Sequence, residues 1–168
     1  MKIKSKYKNV YFEHWDSPVK GTNILVFEGI LTTPWLTHIC VSCYQNSDIH
    51  VLTIHATDPY RVLDEDHSCF YRKYFDSGLS KNELKKNHPD PCRTWKIWGT
   101  TFIQELDEGY YLSDFKSEHD ENIFQYLIFT QDQWIEFICP NPIWKTFKNS
   151  SFEKVVIHYL KEDQKNRS

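Results

Sequence analysis

Cys40 and Cys43 have Cys-x-x-Cys spacing, the pattern by which two thiols grip a metal or cycle between dithiol and disulfide. Their surroundings, residues 35–44, read as a strand, and side chains three apart in a strand point to opposite faces. Without a bulge, the two thiols cannot close on one metal. The pair does not open a helix after a strand, which disfavours a thioredoxin-like site. A second Cys-x-x-Cys, which would complete a zinc site, is missing from the sequence. His67 with Cys69, and His88 with Cys92, could supply ligands from neighbouring loops. Structural zinc normally announces itself through paired short spacings, however, so the expectation is no metal and no cofactor.

Acid–base chemistry has one candidate region. His55, Asp58, Asp64, Glu65, Asp66 and His67 place two imidazoles and four carboxylates within residues 55–67. A general acid–base pair or a hard cation wants that composition, and residues 88–92 could add His88 and Asp90. The spacing matches no known cation loop. Asp58 also has a simpler use, capping a short helix that Pro59 would open through Val62 and Leu63. No Gly-x-Ser-x-Gly elbow, no phosphate-cradling Gly-x-x-x-x-Gly-Lys loop and no Gly-x-Gly-x-x-Gly fingerprint occurs.

Recognition has two candidates. In residues 70–75 four rings surround two cations, and Tyr71, Arg72, Lys73 and Tyr74 could stack on bases and hold phosphates of a single strand. The overall charge of −3 opposes strong phosphate binding. Residues 105–121 carry seven acids against Lys116 alone, and Asp114, Glu118, Asp120 and Glu121 sit in or beside an expected loop. Such a stretch can steer a protein partner. Aromatics make up 16% of the chain while glycines number five, so rings should fill much of the core. Rings left outside would serve as binding anchors. Trp134 beside a turn and Trp144 after Pro142 are the expected exposed ones.

The positioning elements follow from periodicity. Residues 123–129 and 134–139 read as strands of a hairpin around the polar turn 130–133. Pro140 and Pro142 end the pairing. Ser150 and Glu153 have capping-box spacing, and Phe152, Val155, Val156, Tyr159 and Leu160 recur at helical intervals. That stripe needs an apolar sheet face, and the hairpin is the nearest. Earlier strands are expected at 7–15, 23–31, 35–44 and 49–56, spaced as an antiparallel meander, with 23–31 central because both its faces are apolar. Further strands are expected within 94–106 and 110–115, and a short helix after Ser80 and Glu83.

The fold class that results is α+β: a mainly antiparallel, twisted sheet with a C-terminal amphipathic helix packed on one face. One domain, 1–168, is expected, with 161–168 fraying. The first residues lack the apolar stretch of a secretory signal, no run is long enough to span a membrane, and the five cysteines suit reduced thiols, so the expectation is cytoplasmic. The function expected is a small soluble non-catalytic protein that binds another protein, of inhibitor, immunity-factor or antagonist type. An enzyme acting on a small polar substrate through 55–67 and 88–92 is the first alternative. A single-stranded nucleic-acid binder working through 70–75 is the second.

Overall fold

The structure is a computed structural model that describes residues 3–4, 11–19, 22, 24–64, 94–98, 102 and 124–167. The described strands are β1 (Ile3–Lys4), β2 (Tyr11–His14), β3 (Leu25–Thr32), β4 (Leu36–Cys43), β5 (Ile49–His55), β6 (Tyr60–Asp64), β7 (Thr94–Trp98), β8 (Phe124–Phe129), β9 (Gln133–Cys139) and β10 (Ile143–Phe147). One helix, α1 (Phe152–Asn166), follows them. The strands form two sheets, β1-β2-β7-β8-β9-β6 and β10-β5-β4-β3, in which every neighbour is antiparallel. The α+β class and the helix on a sheet face are as the sequence implies. The sheet, however, is two sheets.

The hairpin of β8 and β9 forms in the expected register, closing on Phe129 opposite Trp134. Its turn is held by Thr130, whose backbone N–H and hydroxyl both donate to the Gln133 carbonyl at 2.9 and 2.7 Å. One face of this hairpin meets the four-stranded sheet. Ile128, Ile135 and Phe137 pack there with Ile39, Val41, Leu52 and Ile54. Among the described residues, rings cluster here. The Trp15 ring lies 4.6 Å from Tyr126, 5.4 Å from Trp144 and 5.9 Å from Phe137, and Tyr126 stacks on Phe137 at 5.1 Å.

Because the hairpin's inner face is already covered, α1 packs elsewhere. Val155 and Tyr159 sit against Cys40, Ile49 and Val51 on the opposite face of the four-stranded sheet, with Phe152, Phe147 and Leu31 at the margin. The expected docking of the helix on the hairpin is therefore corrected. The crossing is made by Pro140 and Pro142, after which β10, which periodicity did not reveal, pairs with β5. Among the described elements the four-stranded sheet lies between the six-stranded sheet and α1, so β3 is apolar on both faces without being central. It is the edge strand.

β3 also departs from strict alternation. A bulge between Phe27 and Gly29 places Leu25, Phe27 and Ile30 opposite inward-facing Cys43, Val41 and Ile39. Ile30 therefore does not share a face with Val26, as simple alternation implies. Gly29 has φ 152°, and a Cβ there would lie 2.7 Å from the tip of the Phe152 ring. The residue is glycine because the helix enters the sheet at this point.

Three other expectations change. Residues 58–63 form no helix, since β6 pairs with β9. The Asp58 carboxylate instead accepts the His55 backbone N–H at 2.8 Å, closing the tight turn from β5 to β6. Ser150 and Glu153 make no capping box, because the N-cap is Ser151. Beyond Leu160 the helix continues to Asn166, supported by the Asp163–Arg167 ion pair at 2.7 Å. Expectations for 65–93 and for 105–121 lie outside the described residues.

Candidate functional site

Alternation along β4 puts Leu36, His38 and Cys40 on the face that meets α1. Cys40 lies under the helix, and two residues nearer the strand's start His38 stacks on Tyr159, ring centroids 3.8 Å apart. His38 is 2% exposed. Its Nδ1 lies 2.9 Å from Oγ1 of Thr53, its register partner on β5. Before Leu36 the chain turns at Pro34, where the Thr33 N–H donates to the Leu36 carbonyl at 2.8 Å. That turn holds Trp35 outside both sheets, 68% exposed.

From the helix, Tyr159, Glu162, Asp163 and Asn166 fall at i, i+3, i+4 and i+7 and so share a face. With Thr33, Trp35, Leu36 and His38 they line a cavity of about 120 Å³. Two carboxylates and no cation line it. Each acid is engaged through one oxygen. Glu162 Oε1 is 3.2 Å from His158 Nε2 and 3.9 Å from Lys145 Nζ, while Asp163 Oδ2 holds Arg167. Lys145 Nζ also donates to His158 Nε2 at 2.9 Å, so that nitrogen is an acceptor and does not itself donate to Glu162. Ile143, 66% exposed on β10, lies two strands from His38 in the same cross-strand row.

Burial dominates the electrostatics. It lowers the His38 pKa from the ordinary imidazole value of 6.5; Glu162 opposes that shift and Lys145 adds to it. It also raises the Tyr159 phenol, against a smaller pull from the Thr53 hydroxyl. His50, 6% exposed with Nδ1 2.9 Å from Thr146 Oγ1, is lowered by burial as well. Both rings thus take up protons more readily in the unfolded chain. Stability should be level above about pH 7 and fall as pH drops below 6.5 towards the lowered values. Melting temperature measured between pH 8 and pH 5 checks this, and a flat curve over the whole range would contradict it.

A second, more open hollow of about 340 Å³ surrounds the start of α1. Glu28 and Glu153 line it beside Ser42, Ser150 and Ser151. Two carboxylates counter the attraction that a helix N-terminus has for anions.

The residues singled out from sequence are dispersed. Cys40 faces the helix and Cys43 the core between the sheets, on opposite sides of β4 as strand alternation requires. Burial pushes the Cys40 thiol up to about 12, the lesser cause being Glu28, so it is not a nucleophile near neutral pH. His55 is exposed and bonds Thr57 through Nδ1, Asp58 closes its turn, and Asp64 ends β6. Among the described residues, no three His, Cys, Asp or Glu side chains gather as they would around a metal ion. Trp134 is half-buried, edge-on to Phe129 at 4.2 Å, and Trp144 packs on Trp15, so neither is the exposed ring expected. His67, Cys69, His88, Cys92, Tyr71, Arg72, Lys73, Tyr74, Asp114, Glu118, Asp120 and Glu121 lie outside the described residues.

Trp35 is not among the rings expected to be exposed, although a large ring directly after a turn proline is a signal for exposure. Glu162 and Asp163 are in phase with Tyr159, but nothing in their spacing sets them apart from other acids of the chain. Among the described residues no helix is long and apolar enough to cross a membrane. Comparison with family models, curated proteins and solved structures finds no match for this chain.

Proposed function

We propose that this is a non-catalytic binding protein that engages another protein, of inhibitor, immunity-factor or antagonist type. The observation that carries the reading is Trp35, held 68% exposed by a hydrogen-bonded turn at the mouth of a cavity. Leu36 and Ile143, 39% and 66% exposed, lie at the same end of the four-stranded sheet. An exposed tryptophan on a rigid turn gives large contact area for little lost side-chain entropy, and tryptophan is the residue most enriched at binding hot spots. The cavity, at about 120 Å³, is below the roughly 300–1,000 Å³ of pockets that enclose small molecules. It suits one inserted side chain better than a substrate.

The test uses the full chain as bait for a stoichiometric partner, whose affinity is then measured for wild type and Trp35→Ala. The variant should melt within about 0.5 kcal/mol of wild type, because the ring makes little buried contact. It should bind the partner at least about thirtyfold more weakly, the loss of a 2 kcal/mol anchor. Equal affinity of the two proteins would defeat the reading.

A further inference from the structure

We infer that the cavity beside Trp35 receives an arginine side chain of the partner protein. The inference rests on the protein-binding reading and specifies the group that the partner inserts.

Three observations converge on a planar cation. The first is charge: Glu162 and Asp163 line the cavity and no cation does. Their ion pairs use Oε1 and Oδ2, so Glu162 Oε2 and Asp163 Oδ1 remain available as acceptors. The second is His38, 2% exposed and lining the cavity. Thr53 occupies Nδ1, and among the described residues nothing hydrogen-bonds to Nε2. That nitrogen is open to the cavity, and a ligand donor placed there would take the position of solvent. Burial keeps this imidazole neutral near pH 7, so Nε2 can accept while Nδ1–H donates to the Thr53 hydroxyl.

The third is shape. Trp35 supplies an open aromatic face at the mouth, on which a cation is attracted by the ring quadrupole. Guanidinium is the side-chain cation that stacks flat on a ring and donates in several directions at once. Ammonium is a compact, strongly hydrated point charge. The cavity, about 120 Å³, has room for one side chain.

The experiment is a titration of the full chain with the blocked peptide Gly-Arg-Gly, followed by two-dimensional NMR of the tryptophan indole N–H signals. The Trp35 signal is assigned by its loss in Trp35→Phe. Saturable shifts confined to Trp35 and the cavity are expected, with Kd of about 1 mM, reasonable for one side chain. The citrulline peptide, equal in shape but uncharged, should bind at least about tenfold more weakly, and the lysine peptide should fall between them. Glu162→Gln with Asp163→Asn should weaken the arginine peptide by about tenfold and remove the salt dependence.

Equal binding of the arginine and citrulline peptides would overturn the inference, as would the absence of any Trp35 shift up to about twenty times the expected Kd. The two readings fail separately. Trp35-dependent binding of a partner protein with no arginine response leaves the binding function standing and removes the arginine. An arginine response with a partner indifferent to Trp35 does the reverse.

Discussion

Val155→Asp should cost about 3–5 kcal/mol, because it places an unpaired carboxylate between α1 and the four-stranded sheet. Val155 is 1% exposed, packed with Cys40, Ile49 and Val51. Val156, its neighbour in the apolar stripe, is only half-buried, and Lys154 is exposed. The order of loss should therefore be Val155→Asp, then Val156→Asp, with Lys154→Asp near neutral. From periodicity alone, Val155 and Val156 are indistinguishable. Urea unfolding measures this order, provided the slope m stays constant so that midpoint shifts report stability. Equal midpoints for wild type and Val155→Asp would mean the helix does not dock on this sheet.

The other large effect is expected at Arg61. Its Nε donates to Glu136 Oε2 at 2.9 Å, and Glu136 is 0% exposed in the interior of β9. Gln125 Nε2 reaches the same oxygen at 3.4 Å, while the Arg61 guanidinium carbon lies 4.2 Å from the centre of the Phe102 ring. Arg61→Met takes this guanidinium from a carboxylate held in the interior, which should cost about 3–5 kcal/mol. Adding Glu136→Leu should recover most of that loss, since apolar replacements of a buried pair are often neutral. A double-mutant cycle resolves the coupling. If Arg61→Met alone costs under about 1 kcal/mol, the pair behaves as a surface ion pair and the buried description fails.

Much of the architecture was legible because it is local. Val, Ile and ring-rich runs bounded by polar turns marked β4, β5, β8 and β9 within a residue or two of their ends. The stripe from Phe152 to Leu160 marked the start of α1 and, in Val155 and Tyr159, the residues it buries, although Leu160 at its end is exposed. The opposed thiols of Cys40 and Cys43 followed from alternation within a single strand. None of these needs knowledge of what the element touches, since the period of side-chain direction is set by backbone geometry alone.

The misreadings came where the partner decides. β6 contains Val62 and Leu63 after Asp58 and Pro59, a pattern equally good for a helix start, and pairing with β9 settles it as a strand. β10 is five residues long and mostly exposed, so it carries no apolar period. It is a strand because β5 offers it an edge. β3 looked central because both faces are apolar, when it is an edge strand in a middle layer. The candidate site has the same origin. Trp35 and His38 belong to a hairpin, Glu162 and Asp163 to a helix more than a hundred residues later, and no spacing in the chain links them. Sequence determined each element by its own periodicity. Only tertiary structure brought the turn and the helix end together, because the hairpin of β8 and β9 was already covered on its inner face, which left α1 the other face of the four-stranded sheet.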